Sequence, residues 1–283
     1  MTTGDDLLLI AIDPWSLRIR AEGRVRFALR AAELADLGLA GRIVVGGRRI
    51  EVVDPARVED RRLSNVLHSL RVAAPPPTLK DWLRGAPRSL PTEYLSRLED
   101  QKAARVRRSR DRGGRRRSEI LAIDHDRRSE LLARLDTVVR PGRGTAPPAA
   151  RDLTLAVLVQ AAGLAPAAYP GWRGIPARRR MAALAAADRL APATGGAAAA
   201  VDEELAEAVA AGSDFLSREL FDELSNVYAD LSTGGSGLGH DLDAGSWSGG
   251  GHHGGGQHGG GHHAGGDGGG HHSGGHDGGG HGW

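Results

Sequence analysis

The chain has 283 residues, with 37 Lys and Arg, 35 Asp and Glu, 12 His, 42 Gly and no Cys. That length suits one large domain or two small ones, and the lack of Cys excludes a disulfide framework, thiolate zinc sites and cysteine catalysis. All 37 basic residues, Arg except for Lys80 and Lys102, lie within residues 1–230 against 31 of the acids. That part therefore stands at +6, and the rest is a tail rich in Gly and His.

Along the chain, MTTGDDLLLIAID has an apolar run but carries Asp5 and Asp6 where a signal peptide needs positive charge. The next longest apolar stretch, 153–169, is broken by Gln160, Gly163 and Pro166, and a spanning helix needs ~20 apolar residues. No export signal and no transmembrane segment are expected, so any membrane contact is peripheral. Trp15 follows the turn pair Asp13-Pro14. It is expected to make a core contact, with insertion into an interfacial layer as the other reading. Val25, Ala28, Leu29, Ala32 and Leu39 recur at helical spacing beside Phe27, Ala31 and Leu34. The resulting helix is apolar on more than one side and belongs in a core, ending at Gly41. Two apolar runs flanking Gly46-Gly47 read as a hairpin. Thr78 to Asp81 resembles a capping box for a short helix through Trp82 that stops at Gly85.

Helices are expected over 92–104, 127–140, 152–162, 177–190, 200–211 and 214–231, with 141–150 and 192–196 as loop and turn. Between the first two, Arg105, Arg107, Arg108, Arg110, Arg112, Arg115, Arg116 and Arg117 surround Gly113-Gly114. With a returning strand over 119–124, residues 105–124 form an arginine-coated hairpin. The folded part, 1–231, is thus expected to be one all-α domain with one or two surface β-hairpins. Half the residues from Gly234 onward are Gly, so 232–283 is expected to be a disordered tail.

The arginine run points to an anionic surface, because guanidinium groups fork onto phosphate; a merely solvated charged face is the other reading. Lipid headgroups fit better than nucleic acid, since no aromatic lies in the run to stack bases and no nucleic-acid motif is present. Asp124-His125-Asp126 reads as helix capping rather than catalysis. No phosphate loop, His-Glu-x-x-His or Gly-x-Ser-x-Gly occurs. No enzymatic activity and no required cofactor are expected. In the tail, His252, His253, His258, His262, His263, His271, His272, His276 and His281 supply imidazoles suited to Zn, Ni or Cu. A metal-binding or interaction protein acting through that tail is the alternative function.

Asp6 to Asp13, Leu29 to Ile43 with the following hairpin, Leu79-Lys-Asp-Trp82-Leu, and Leu155 to Leu164 leading to Tyr169-Pro170 stand in an order and spacing that resemble the Golgi phosphoprotein 3 family, in its shorter bacterial form. The resemblance covers residues 6 to about 230. It implies a mainly helical domain with surface hairpins and no catalysis. Eukaryotic members are peripheral membrane proteins that recognise phosphatidylinositol 4-phosphate and tether glycosyltransferase tails to a vesicle coat. Their headgroup pocket uses a Trp, an Arg nine residues later, and two basic residues on a later helix. Arg30 matches that Arg; Ala21 stands at the Trp position, with Trp15 nearby. The two later basic positions fall on Thr92 and Leu95, with Arg97 the neighbouring base. Arg30, Arg97 and Trp15 are therefore the candidate headgroup residues on an acidic membrane surface at the cytoplasmic face. A protein partner and a homo-oligomer stay open.

Overall fold

The computed structural model describes residues 1–46, 49–110, 116–140, 148–190 and 215–232; the side chains of 116, 187–190 and 215–218 are outside that description. The first apolar run is a helix, α1 (Thr3–Ala11). Thr2 and Asp5 close a reciprocal capping box, Thr2 N–H donating to Asp5 Oδ2 at 2.9 Å. Every residue of α1 is buried, which is why its sequence shows no polar face. Leu7, Leu8, Leu9 and Ile10 have no exposed surface, and each such burial is worth about 1.5–3 kcal/mol. At Gly4 a Cβ would stand 2.5 Å from the Tyr94 hydroxyl, so the missing side chain lets Tyr94 lie against α1.

The core helix α2 (Glu22–Leu39) packs against α1, as its two apolar lines require. Gly41, at φ +66, turns the chain out of it. Strands β1 (Ile43–Gly46) and β2 (Arg49–Val52) pair antiparallel with Ile43 opposite Val52; the turn at 47–48 lies outside the described residues. A helix that the sequence reading did not anticipate follows, α3 (Arg61–Val72). The Asp60 carboxylate accepts from the N–H groups of Arg62 and Leu63 at 2.9 and 3.0 Å. Leu63, Val66, Leu67 and Leu70 form its buried stripe. Helix α4 (Leu79–Arg84) is capped by Thr78 Oγ1, which accepts from Asp81 N–H at 3.1 Å.

Helix α5 (Leu90–Asp100) is shorter than the expected 92–104. Lys102 adopts φ +59 and turns the chain, so Ala104 opens a strand instead of closing a helix. That strand, β3 (Ala104–Arg110), pairs antiparallel with β4 (Arg116–Ile123). The return begins at Arg116 rather than Glu119 because Arg110 already pairs with Arg116.

Asp124 caps α6 (His125–Val139) by accepting from Arg127 N–H at 3.0 Å, the capping role expected of it. Then come α7 (Ala150–Ala161), α8 (Ala165–Ala168), a 3-10 turn (Trp172–Gly174), α9 (Ile175–Leu190) and α10 (Phe215–Ser232). The expected helix at 200–211, the turn at 192–196, most of the 141–150 loop and the tail lie outside the described residues. Helices α1 and α2 are central: α5, α6, α7 and α8 pack on α1, while α3, α4, α5, α7 and α10 pack on α2. Tyr228 of α10 donates its hydroxyl hydrogen to Arg24 O at 3.0 Å, fastening the last helix to α2. The described fold is mainly helical with two antiparallel hairpins, as the sequence implies. Among the described residues no helix is long and apolar enough to cross a membrane.

Candidate functional site

Three helices bring arginines to one cleft of about 330 Å³. Helix α2 contributes Arg30, α3 contributes Arg61, Arg62, Asn65, Val66 and Ser69, and α5 contributes Glu93 and Arg97. The Asp60 cap fixes the first turn of α3, so Arg61 and Arg62 enter together. Behind the cleft stands Glu33, wholly buried. Its carboxylate accepts from Arg30 Nη1 at 3.0 Å and from Arg62 Nε, and the Tyr94 hydroxyl donates to it at 3.4 Å. Burial pushes the Tyr94 phenol well above its ordinary pKa, and the Glu33 charge adds to this. Arg62 also pairs with Glu93.

Arg97 is held on two sides. Its Nε and Nη2 donate to Asp5 at 2.9 and 3.0 Å, and its Nη2 and Nη1 donate to Asp60 at 2.7 and 3.3 Å. Burial raises the pKa of both carboxyls, but the Arg97 bonds and backbone N–H donors outweigh it and hold both below the ordinary aspartate value. Arg97 is thus a fixed wall whose donors already have acceptors.

Arg30 differs. Its Nε–H is buried and has no hydrogen-bond partner. Its guanidinium stacks on the Trp82 ring, 3.8 Å from the centroid, a cation–π contact that orients the plane. Arg61 is exposed and has no acidic partner among the described residues. Arg30, Arg62 and Arg97 pair with the carboxylates of Glu33, Glu93, Asp5 and Asp60, and with Arg61 counted the four cations and four anions balance. The cleft therefore offers donors from Arg30, Arg61 and Asn65 rather than a broad field, an arrangement suited to a compact oxyanion such as a phosphate ester.

Of the candidates read from the sequence, Arg30 and Arg97 meet in this cleft and Trp15 does not line it. Trp15 is 92% exposed, against the expected core contact. The Asp13 carboxylate accepts from the N–H groups of Trp15 and Ser16 at 3.0 and 2.8 Å and binds Arg20, and this turn holds the indole outward. Arg61, Arg62, Asn65, Val66, Ser69 and Glu93 line the cleft and Trp82 stacks on Arg30, and the sequence reading assigns none of them a site role. The signal for the α3 residues was the Asp60 cap followed by apolar residues at helical spacing, and for Trp82 the capped helix that carries it.

The arginine hairpin stands apart from the cleft. Arg105, Arg107, Arg108 and Arg110 on β3 and Arg117 on β4 are exposed; Arg112, Arg115 and the Arg116 side chain lie outside the described residues. Arg107 pairs with Glu119 at 2.5 Å across the strands, and Arg108 with Glu99 at 2.5 Å. Arg110 and Arg116 are directly opposite in register. All nine candidate metal-binding histidines of the tail lie outside the described residues. Among the described residues no group of His, Cys, Asp and Glu is placed to hold a metal ion.

No curated protein gives a significant match to the chain. The family model for Golgi phosphoprotein 3 (GPP34) matches residues 4–211, from the first turn of α1 to a point beyond α9. That match covers most of the chain, and the protein belongs to the Golgi phosphoprotein 3 family.

Proposed function

We propose that the protein is a non-enzymatic peripheral membrane protein that binds acidic phospholipid headgroups. Family membership suggests a lipid-binding role without catalysis. The carrying observation is Arg30, stacked on Trp82 with an unpartnered Nε–H, in a cleft that it shares with Arg61 and Arg97. By family resemblance the preferred headgroup is an inositol phosphate of the phosphatidylinositol 4-phosphate type. The cleft takes the phosphate, and the arginine hairpin supplies charge toward the bilayer, each base near an anionic surface adding ~1 kcal/mol. On this reading the protein acts at the cytoplasmic face of a membrane.

Flotation of the full chain with vesicles of phosphatidylcholine, phosphatidylserine, phosphatidylinositol and phosphatidylinositol 4-phosphate tests the reading. The expected result is binding to the acidic vesicles, strongest for the phosphorylated inositide and weaker as salt rises. Equal binding to neutral and acidic vesicles would remove it. The tail supports a second role, transition-metal binding, through its nine closely spaced histidines.

A further inference from the structure

We infer that Trp15 and Trp172 are a pair of interfacial anchors that seat this protein in the headgroup layer of an acidic bilayer. This rests on the membrane reading above and adds the face that touches the lipid.

Trp15 and Trp172 are 92% and 76% exposed, the two most exposed large apolar side chains among the described residues. Neither is a loose appendage. The Trp15 turn is closed by the Asp13 carboxylate and by backbone bonds from Asp13 N to Arg18 O at 2.8 Å and from Arg20 N to Ala11 O at 2.9 Å. The Trp172 turn is tied by Arg178 Nη1, which donates to Tyr169 O at 2.6 Å and to Gly171 O at 2.9 Å. Gly174 makes this possible, because a Cβ there would stand 2.2 Å from Tyr169 O. Two built turns each present an indole to solvent, where its apolar surface gains nothing from folding.

Both turns leave from one junction. The buried Arg128 donates through Nη1 to Leu9 O at 3.1 Å and Ile10 O at 3.5 Å, and through Nη2 to Ala167 O at 3.1 Å. One guanidinium thus joins the end of α1, which runs on to Trp15, to the end of α8, which runs on to Trp172. The same junction carries the arginine hairpin: Asp124 N–H donates to Ala103 O at 2.9 Å across the hairpin base, and Arg128 follows in the first turns of α6.

The surroundings select the partner. Arg173 is exposed and packs on Trp172 at 5.2 Å, and Arg18 is an exposed base three residues after Trp15 in the chain. Ile175, 37% exposed, extends the apolar part at Trp172. Exposed indoles with a base nearby in each turn, joined through one junction to a basic ribbon, match a layer that is apolar below and anionic above. An apolar protein groove would have to strip water from those guanidiniums, whereas a headgroup layer pairs them with phosphate.

The test uses the full chain with vesicles of phosphatidylcholine and of phosphatidylcholine with phosphatidylserine, with and without brominated acyl chains. The parent is expected to bind the acidic vesicles, with part of its tryptophan fluorescence quenched by the bromines. Trp15→Ser with Trp172→Ser is expected to bind about ten- to a hundredfold more weakly with an unchanged thermal transition. Trp15→Phe with Trp172→Phe is expected to abolish most of the quenching. A parent that binds with no indole quenching, or a folded double Ser variant that binds like the parent, overturns the anchor while leaving the headgroup reading intact. A parent that ignores acidic vesicles overturns both.

Discussion

The Arg30 guanidinium lies 3.8 Å from the centroid of the Trp82 ring, joining the central helix α2 to the short capped helix α4. The spacing rule implied by the family resemblance places a Trp nine residues before this Arg, where Ala21 stands. Here an indole reaches the same guanidinium from later in the chain. The contact fixes the plane of the one cleft arginine whose Nε–H is buried without a partner. Trp82→Ala should therefore weaken headgroup discrimination more than total adsorption to acidic vesicles, because hairpin charge is untouched. A partly desolvated cation–π contact is worth about 1–2 kcal/mol, so the preference for phosphorylated inositide over phosphatidylserine should fall about tenfold. Arg30→Ala should have a similar effect. Vesicle titrations with both lipids check this; an unchanged preference in both variants would show that the headgroup is read elsewhere.

Glu33 links stability to the cleft. It has no exposed surface and pairs with both Arg30 and Arg62. Glu33→Gln leaves the largely buried Arg30 guanidinium without its counter-charge and Arg62 with Glu93 alone, and breaking such a pair costs about 3 kcal/mol. The same change makes the cleft more cationic. The variant should melt earlier than the parent and be stabilised more by added inorganic phosphate. Differential scanning calorimetry with and without phosphate measures both effects. A variant no more responsive to phosphate than the parent would place the anion outside this cleft.

The hairpin should contribute attraction without selectivity. Arg107, Arg108, Arg115, Arg116 and Arg117 changed together to Ser should leave the domain folded, since the described ones are exposed and surface changes cost little. Glu119 and Glu99 lose their partners, which are exposed pairs of small value. Binding to acidic vesicles should drop strongly at low salt, and the salt dependence should flatten, while the ranking of headgroups persists. Co-sedimentation across a salt series checks this; a quintuple variant with the parent's salt slope would remove the hairpin from the docking surface.

Much of this arrangement was legible in the residues. The double apolar line of α2, the Thr78 cap of α4, the Asp124 cap of α6 and the Gly-flanked hairpins each carry a local signal that folding preserves. Helix α1 gave no period because it is buried on every side, and a continuous apolar run does not distinguish helix from strand. Trp82 was visible, but its partner was not, since that contact depends on α4 packing against α2. Trp15 failed differently: an aromatic after a turn is usually drawn to a core, and the Asp13 network that turns it outward joins residues whose hydrogen bonds leave no mark in composition. The end of α5 depended on a left-handed Lys102, a conformation that no local propensity announces.

Acid stability should report the Arg97 clamp. Burial raises the pKa of Asp5 and Asp60, and the Arg97 bonds then pull both below the ordinary value. Carboxyls lowered in the fold stabilise it above their unfolded pKa, ~3.9, and that contribution disappears as pH falls through the folded values. Asp36 acts in the opposite sense: burial raises its pKa despite Thr3, whose N–H and hydroxyl donate to it at 2.9 and 2.5 Å. Acidification relieves that group and offsets part of the loss. Urea midpoints should therefore fall from pH 6 toward pH 3 in the parent. The fall should be steeper in Asp36→Asn and shallower in Arg97→Ala, which starts from a lower midpoint. An Arg97→Ala profile parallel to the parent's would show that the two carboxylates are stabilised by something else.

For the tail, we propose binding of zinc, nickel or copper through the histidines between His252 and His281. Adjacent pairs such as His252-His253, His262-His263 and His271-His272 are separated by glycines, so several imidazoles can converge on one ion without side-chain clashes. Closing each site fixes chain that glycine leaves free, which makes the affinity lower than that of a preformed structural zinc site. Imidazole ligates only when neutral, so binding should fade as pH falls below about 6. Titration calorimetry should show heat for the full chain with zinc or nickel at pH 7.5, and little at pH 5.5. A chain ended at residue 233 should show almost none at either pH while keeping the parent's thermal transition. Equal heats from the full and shortened chains would move metal binding out of the tail, and a shortened chain that unfolds would show that the tail supports the domain.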